Sequence, residues 1–375
     1  MACWNQLLIT VLSLLATQAA IAQQTFNIPP HPLPGQQTET QWISGSSGFD
    51  FPKNTPINLT SYDWWYFDAV ESPSTTDSQA SIALTFHTTG NEGFDPLHSY
   101  IPVPYPSGNF IQIDLAWPNG STDSWILFAG EATITVDGDG ASGAFSKTGA
   151  SFEGAADLSS YMVYVDAPEK GVVGSLAITS EAPAHYPCGP DEAGQNMQLH
   201  PGTGWLNAIP DGHGEANFLI RGEEFNFQGR GYHDHNFGNI PFSHSYASSY
   251  WGHAVIGPYA LVWADTLSPE PEGTNTVSAY VSRNNEILVA QCAGIKVRPY
   301  GENSTYPPTT SSGAPTGFTL DVETPEGRLE VTAETVYVTV DFDVYRRFTG
   351  VLRGTLDGVS LEPGVGLWEQ FTLAE

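Results

Sequence analysis

Ten residues near the middle of the chain form a dense cluster of side chains that can transfer protons or bind metals. Residues 229–238 read Gly-Arg-Gly-Tyr-His-Asp-His-Asn-Phe-Gly and contain two of the 10 histidines of the chain. Alternate side chains of an extended strand share a face, which divides the motif into two sets: Tyr232, Asp234 and Asn236 on one face, and His233, His235 and Phe237 on the other. The residue types are compatible with a metal site, an acid/base site or a hydrogen-bonded structural corner.

A metal site would need ligands from outside this motif. His233 and His235 share a face and can approach one ion, but a third ligand would have to come from a distant histidine such as His87, His98 or His253. No cysteine cluster completes a tetrahedral site. The chain also lacks a Gly-x-Ser-x-Gly elbow, a phosphate-binding loop and a dinucleotide fingerprint. We therefore predict no metal and no cofactor.

The N-terminus predicts export. Residues 1–22 are apolar, carry no acidic or basic side chain and end in Ala-Ile-Ala, the pattern of a cleaved secretory signal peptide. We expect the protein in the secretory lumen or outside the cell. The mature chain keeps Cys188 and Cys292, for which a disulfide is favoured over two separate buried thiols. Three glycosylation acceptors are predicted: Asn58, Asn119 and Asn303.

Composition limits the class of protein and of partner. The chain has 41 acidic and 12 basic residues, a formal net charge of −29. This charge argues against nucleic acid or an anionic membrane as partner, and no later segment is apolar enough to insert into a bilayer. The sequence does not indicate the oligomeric state.

Many short alternating segments rich in aromatic residues predict an all-β fold of sandwiches or barrels. The predicted organisation is a signal peptide (1–22), an irregular arm (23–57), an N-terminal β domain (58–228) and a C-terminal β domain (229–375). Residues 61–70 form the most aromatic run, Ser-Tyr-Asp-Trp-Trp-Tyr-Phe-Asp-Ala-Val. Bulky groups on both faces fit either a buried core strand or a strand that lines an apolar cavity.

Residues 61–69, together with residues 231–238, resemble the carotenoid-hydratase-like, double-lipocalin superfamily, and within it the fungal Diels–Alderase family. Both motifs stand in the expected order, and residues 366–369, Gly-Leu-Trp-Glu, also fit. The resemblance implies two lipocalin-like β-barrel or sandwich domains that pack with an apolar pocket between them. It implies a pericyclic reaction on small apolar substrates, namely a polyene, a quinone methide or a sesquiterpene.

With the signal peptide and the glycosylation sites, the chain looks most similar to secreted hetero-Diels–Alderases. Their reaction joins a tropolone o-quinone methide, which dehydration in the same site can generate, to a macrocyclic sesquiterpene. Three alternatives remain: a hydratase or dehydratase of terpenoid C=C bonds, a non-enzymatic carrier of an apolar ligand, and a structural secreted β-protein. The candidate catalytic residues are Asp234, His233, His235 and Asp63. The candidate substrate-binding residues are Trp65, Tyr66, Trp251, His253 and Trp368.

Overall fold

The computed structural model describes residues 23–72, 78–302, 304–342 and 344–373. The predicted signal peptide lies outside these residues. Within them the chain is built almost entirely of strands, in two large antiparallel sheets and one two-stranded sheet. The strands up to residue 238 are β1 (Gln24–Ile28), β2 (Glu39–Thr40), β3 (Asn54–Thr55), β4 (Tyr62–Glu71), β5 (Ser81–Thr89), β6 (Asn109–Ala116), β7 (Thr122–Phe128), β8 (Ala132–Asp137), β9 (Gly140–Phe145), β10 (Ala150–Gly154), β11 (Ser160–Ala167), β12 (Val172–Ser180), β13 (His185–Tyr186), β14 (Gly189–Pro190), β15 (Gln198–His200), β16 (Thr203–Ile220) and β17 (Glu223–Gly238).

The second half of the fold begins after a four-residue helix, α1 (Phe242–Ser245), which is the one α-helix among the described residues. Two short 3-10 turns lie earlier, at Asp95–Ser99 and Pro168–Lys170. The remaining strands are β18 (Ser248–Ile256), β19 (Tyr259–Leu267), β20 (Asn275–Arg283), β21 (Glu286–Gln291), β22 (Ile295–Tyr300), β23 (Gly317–Thr324), β24 (Gly327–Phe342), β25 (Tyr345–Leu356), β26 (Val359–Ser360) and β27 (Gly364–Thr372).

Each large sheet curls around a core of its own. The main path of the first sheet is β1-β8-β9-β10-β11-β12-β16-β17-β4-β5-β6-β7, and that of the second is β21-β20-β19-β18-β27-β25-β24-β23-β22. Ile28 and Leu127, from opposite edges of the first sheet, belong to one buried cluster. Val289 and Val297, from opposite edges of the second, share another. Edge strands can meet in one core only if the sheet curls, which confirms the predicted all-β fold of two lipocalin-like domains.

Local sequence explains where strands turn back. β20 and β21 are joined by Asn284 and Asn285, whose φ angles of 53° and 61° are left-handed. Asparagine tolerates this region better than most residues, and two such residues form the tight hairpin turn that matches the twist of the strands. β8 and β9 form a second hairpin, with Gly138 in its turn at φ 62°.

The boundary between the domains differs from the sequence prediction. The first sheet continues through residue 238, because β17 pairs with β4 from Gly229↔Glu71 to Gly238↔Tyr62. The glycines of the motif therefore do not form a hinge. A Cβ atom at Gly229 would lie 1.9 Å from the carbonyl oxygen of Val70, so this glycine permits close packing of adjacent strands. The second sheet starts at β18, after the connection that contains α1.

The N-terminal arm is partly regular. β1 adds to the edge of the first sheet, with Gln24 opposite Val136 and Ile28 opposite Ala132. Much of the rest of residues 23–57 follows an irregular course, as predicted, apart from the small β2–β3 pair. The arm thus supplies an edge strand that local patterning did not distinguish from a loop.

Candidate active site

A third cluster of buried side chains lies between the two domains and surrounds a cavity. The cluster joins Trp64, Tyr66 and Tyr232 of the first sheet to Val262 and Tyr280 of the second. The empty space between the walls is ≈ 950 Å³ with its open mouth included. Its lining is mainly aromatic and aliphatic, with several polar and charged side chains.

The mouth of the cavity is formed by both domains. Tyr100, which follows the first 3-10 turn, stands 38% exposed there. Its ring centroid lies 3.9 Å from that of Phe342, at the end of β24. Pro96, Leu97 and Val344 line the cavity beside them.

The aromatic strand β4 contributes to the cavity with one face only. Trp64 and Tyr66 line the cavity, whereas Trp65 and Phe67 lie in the core of the first domain. Asp63 points inward with them, and its carboxylate accepts hydrogen bonds from the backbone amides of residues 53 and 54. The two possibilities that the sequence left open for this strand, core and cavity wall, are therefore both realised on opposite faces.

The motif on β17 is divided in the same way. Asp234 and Asn236 line the cavity, and Tyr232 belongs to the interdomain cluster. His233 and His235 point into the first domain, where both rings are fully buried. The predicted alternation of the motif between two faces is thus what the strand shows.

Asp234 is the central polar group of the cavity. Trp205 Nε1 donates to Asp234 Oδ2 at 2.8 Å, and Asn236 Nδ2 donates to Oδ1 at 2.7 Å. Burial raises the pKa of the Asp234 carboxyl to about 8, because it removes the charged form from water, and the nearby Glu369 and Asp68 act in the same direction. The hydrogen bonds from Trp205 and Tyr232 oppose this shift without cancelling it. At neutral pH this carboxyl group therefore carries a proton.

The neighbouring hydroxyl fits a protonated Asp234. Tyr232 Oη lies 2.8 Å from Asp234 Oδ2 and also within hydrogen-bond distance of Asn207 Oδ1. A tyrosine hydroxyl has one hydrogen to donate, so it cannot donate to both oxygens. When Tyr232 donates to Asn207, a neutral Asp234 supplies the hydrogen for the other contact. When Tyr232 donates to Asp234 instead, the one hydrogen of the neutral carboxyl group is free for an oxygen atom of a bound molecule.

The second domain adds an ion cluster to the cavity wall. Arg347 on β25 donates from Nε to Glu369 Oε1 at 2.9 Å and from Nη1 to Asp114 Oδ2 at 3.1 Å. Tyr345 donates its hydroxyl hydrogen to the same Glu369 oxygen at 2.5 Å. Burial raises the pKa of Glu369, although the Arg347 charge opposes this. Because Asp114 belongs to β6, this cluster also joins the two domains.

The other predicted catalytic residues, His233, His235 and Asp63, lie away from the cavity. His233 Nε2 is 3.1 Å from Asp50 Oδ2, and His235 Nε2 is 3.0 Å from Asp63 Oδ1, inside the first domain. Burial by itself would raise the pKa of Asp50, but the adjacent His233 and His235 hold it below its usual range. This inner cluster connects the arm to β4 and β17. It has no contact with the cavity lining except through the strands themselves.

Among the predicted substrate-binding residues, Tyr66 and Trp251 line the cavity. Trp65 and Trp368 are buried in the cores of the first and second domain, respectively.

His253 lies behind the cavity wall, where its Nε2 is 2.9 Å from Asp68 Oδ2. Its ring stacks on Tyr232, with 4.3 Å between centroids. It therefore contacts the support of Asp234 rather than the cavity.

Several residues of the cavity and of its ion cluster were not predicted from the sequence, above all Arg347, Tyr345, Asp114 and Trp205. For Arg347 and Asp114 the only signal in the sequence is a charged residue at a strand position that alternation predicts to be buried. In Arg346–Arg347 the pattern does not tell which arginine points inward. Glu369 stood in the recognised 366–369 stretch, but it had no partner until the tertiary structure supplied one.

The predicted disulfide is present and joins the domains. Cys188 lies beside β14 of the first domain, and Cys292 follows β21 of the second, with 4.7 Å between their Cα atoms.

Of the predicted glycosylation acceptors, Asn119 is exposed, whereas Asn58 is half-buried and accepts hydrogen bonds from the Thr60 and Ser61 amides. Asn303 lies outside the described residues.

The described residues contain neither a recognisable metal site nor a membrane-spanning helix. No group of three or more histidine, cysteine, aspartate or glutamate side chains in this part of the chain is arranged to hold a metal ion. Across the same residues, no helix has the length and apolar character required to cross a membrane.

Comparison with known proteins gives consistent results. Residues 32–298 match the Diels-Alderase-like family. The chain is 32% identical over 364 residues to the quinolone epoxide rearrangement protein asqO of Emericella nidulans, with 95% of this chain and 96% of that protein covered. It is also 32% identical to penF of Penicillium thymicola, which bears the same description, over 88% of this chain and 90% of the relative. The Diels-Alderase poxQ of Penicillium oxalicum is 25% identical, over 76% of this chain and 67% of its own length.

Solved structures support the fold. The crystal structure of CghA superposes with a TM-score of 0.73 at 20% identity, over 94% of this chain and 98% of that one. Kievitone hydratase from Nectria haematococca superposes with a TM-score of 0.55 at 14% identity, over 92% of this chain and 98% of that one. At these identities the likeness concerns the fold alone. On the strength of the family match and of the relatives that align along nearly its whole length, the chain belongs to the Diels-Alderase-like family.

Proposed function

We propose that this protein is a pericyclase that orders a mainly apolar substrate between its two domains and activates it through the neutral carboxyl group of Asp234. The observation that carries the proposal is this buried acid, which keeps its proton at neutral pH and faces an aromatic cavity. The family membership and the Diels-Alderases among the relatives support the same reaction class.

A cycloaddition suits such a site because it needs no nucleophile. Two π-systems exchange electrons to form two new σ bonds, and no atom leaves. Walls such as Trp64, Tyr66 and Trp251 can hold the two π-systems face to face, and this ordering alone lowers the barrier by several kcal/mol. A hydrogen bond from Asp234 to a carbonyl oxygen of the substrate would stabilise the negative charge that develops there. An ionised Asp234 has no hydrogen to donate, so its raised pKa is what makes it useful.

In its finer form, the proposed reaction is a hetero-Diels–Alder addition of a tropolone o-quinone methide to a macrocyclic sesquiterpene. Asp234 can also generate the quinone methide by dehydration. The C–O bond to a hydroxyl group beside the ring breaks, that hydroxyl takes the Asp234 proton and leaves as water, and the ring hydroxyl returns a proton to the Asp234 carboxylate. The support for these substrates is the resemblance of the 61–69 and 231–238 motifs and the export features of the sequence.

A second candidate is the rearrangement of an epoxide, favoured by the two relatives of 32% identity that carry this description. Asp234 would donate its proton to the epoxide oxygen as one C–O bond opens. A neighbouring bond then migrates to the electron-poor carbon, and a proton lost from the product restores Asp234. The reaction is an isomerisation, so all atoms remain in the product. Both candidates place the same acid at a substrate oxygen.

The test uses the purified chain with two substrate sets and product analysis by chiral chromatography and mass spectrometry. One set pairs a tropolone quinone-methide precursor with a macrocyclic sesquiterpene, and the other is a quinolone epoxide. We expect faster and more stereoselective adduct formation than without protein. An isomerised epoxide without an adduct would favour the second candidate, and a product heavier by one water would indicate a hydratase. Yields and isomer ratios equal to those of the protein-free control in both sets would refute both enzymatic candidates and favour a non-enzymatic carrier.

Variants test the role of Asp234. An asparagine amide is a weaker donor than a carboxylic acid and cannot release a proton, and loss of such a group costs about 10²–10³ in rate in comparable sites. We therefore expect Asp234→Asn to lower kcat at least about tenfold while the fold is kept. Asp265→Asn is the matched control, because Asp265 is also a buried carboxyl with a raised pKa caused by burial, but it lies in the second domain outside the cavity lining. Equal kinetics of Asp234→Asn and the wild type would refute the role.

A further inference from the structure

His87 occupies a central position in the cavity wall that neither the fold nor the acid at Asp234 explains. It lies on β5, between Trp64 of β4 and Phe110 of β6 in the strand register. Its ring stacks on Phe110, with 4.5 Å between centroids and 19° between planes, and also on Phe94 at 5.5 Å and 24°. The side chain is 2% exposed and lines the cavity.

The two nitrogens of this ring are unused by the described part of the chain. Neither His87 Nδ1 nor Nε2 has a hydrogen-bond partner among the described residues. Burial lowers the pKa of His87 to about 3, so the imidazole is neutral and offers one N–H donor and one acceptor nitrogen. A buried polar atom left unpaired is destabilising. A phenylalanine would stack on the same neighbours without this cost, so packing alone does not account for the histidine.

The strand register sets the distance from His87 to Asp234. Asp234 on β17 faces Tyr66 on β4, whereas His87 on β5 faces Trp64, two residues further along β4. Two strand spacings across the sheet and two residues along it place the two Cα atoms roughly 12 Å apart. Because both side chains line the same cavity, one bound molecule can contact both.

We infer that His87 is a second polar anchor of the cavity, which binds an uncharged hydroxyl or amide group of the substrate at a different position from the oxygen held by Asp234. The inference rests on the proposed function, since it describes the substrate of the same cavity. A hydroxyl or an amide N–H can donate to the acceptor nitrogen of His87, and their oxygen atoms can accept from its N–H. A carboxylate is disfavoured, because a neutral ring among aromatic side chains offers no compensating charge.

Binding of two probes of equal shape tests this anchor without turnover. 2-Naphthol and 2-methylnaphthalene differ by a hydroxyl in place of a methyl group, and equilibrium dialysis against the full mature chain gives Kd for each. His87→Phe removes both nitrogens and keeps an aromatic ring. We expect it to weaken 2-naphthol binding roughly five- to tenfold, the loss of one hydrogen bond, and to leave 2-methylnaphthalene unchanged or bound more tightly.

The matched control is His185→Phe. His185 is also buried, stacks on Tyr280 and has a pKa lowered to about 3 by burial, but it lies outside the cavity lining. We expect this variant to bind both probes as the wild type does, and His87→Gln, which keeps a donor and an acceptor, to retain more 2-naphthol affinity than His87→Phe. The inference is overturned if His87→Phe affects both probes equally or neither, or if His185→Phe reproduces its effect. Because no reaction is measured, failure of this test is distinct from failure of the proposed function.

Discussion

Replacing Asp234 with asparagine should change how the stability of the protein depends on pH. The pKa of this carboxyl rises from 3.8 to about 8 on folding, so between these values the folded chain holds a proton that the unfolded chain releases. Stability from this group is therefore complete below about pH 4, decreases as the pH rises, and is constant again above about pH 8. Asparagine imitates the neutral carboxyl group and has no charge to bury.

The size of the effect follows from the shift. Each pKa unit corresponds to 1.36 kcal/mol, so a shift of roughly four units lowers the free energy of unfolding by about 6 kcal/mol above pH 8 and by about 4 kcal/mol at pH 7. We expect Asp234→Asn to be within about 1 kcal/mol of the wild type at pH 4 and more stable by several kcal/mol at pH 7. The hydrogen bond from Trp205 can be kept, because the asparagine side chain presents an oxygen.

Urea unfolding at pH steps from 4 to 9, followed by tryptophan fluorescence, measures both curves. Other groups that titrate in this range are common to both proteins and cancel in the difference. Asp137→Asn, which removes an exposed carboxylate on β8, controls for the change in net charge and should run parallel to the wild type. Parallel stability curves for Asp234→Asn and the wild type would refute the conclusion that Asp234 is protonated at neutral pH. Because the protonated form is the active one, we also expect wild-type activity to fall as the pH rises through about 8.

Three further outcomes follow from the structure. The double variant Cys188→Ser, Cys292→Ser should lower the free energy of unfolding by up to about 4–5 kcal/mol, because the disulfide closes a loop of 104 residues in the unfolded chain. Urea unfolding under non-reducing conditions measures this change. An unfolding midpoint equal to that of the wild type would contradict the prediction. Arg347→Met should lower the free energy of unfolding by about 3–5 kcal/mol, because Asp114 and Glu369 remain buried without a cation. An unfolding free energy equal to that of the wild type would contradict this. Asn119→Gln should remove one glycan from protein made in a secretory host, visible as a mass decrease against the wild type. A mass that changes only by the added methylene group would exclude glycosylation at this exposed site.

The two faces of β17 illustrate what a local pattern can and cannot assign. Alternation placed Asp234 apart from His233 and His235 from the sequence alone, and the structure shows this arrangement. It could not assign the faces, because both are buried: one lies against the core of its own domain, the other against the second domain. The histidines that first suggested chemistry belong to the inner cluster with Asp50 and Asp63, while the acid between them faces the cavity.

The domain boundary has a related cause. The glycines of residues 229–238 are equally compatible with a hinge and with a strand that packs closely against its neighbours. Only pairing with β4 distinguishes the two, and that pairing joins residues more than 150 positions apart. The contact of Arg347 with Asp114 is of the same kind, with a separation of 233 residues and no local signal in either strand.

The sequence by itself determined the properties that depend on neighbouring residues or on composition. Period-two alternation and tight-turn residues specified an all-β chain, and two remaining cysteines in a predicted secreted protein left one possible pairing. The tertiary structure decided which face of each strand meets the other domain, and hence which side chains share the cavity. It also set the protonation of Asp234, because the pKa of a carboxyl group depends on burial and on charges such as Glu369, which only folding brings near.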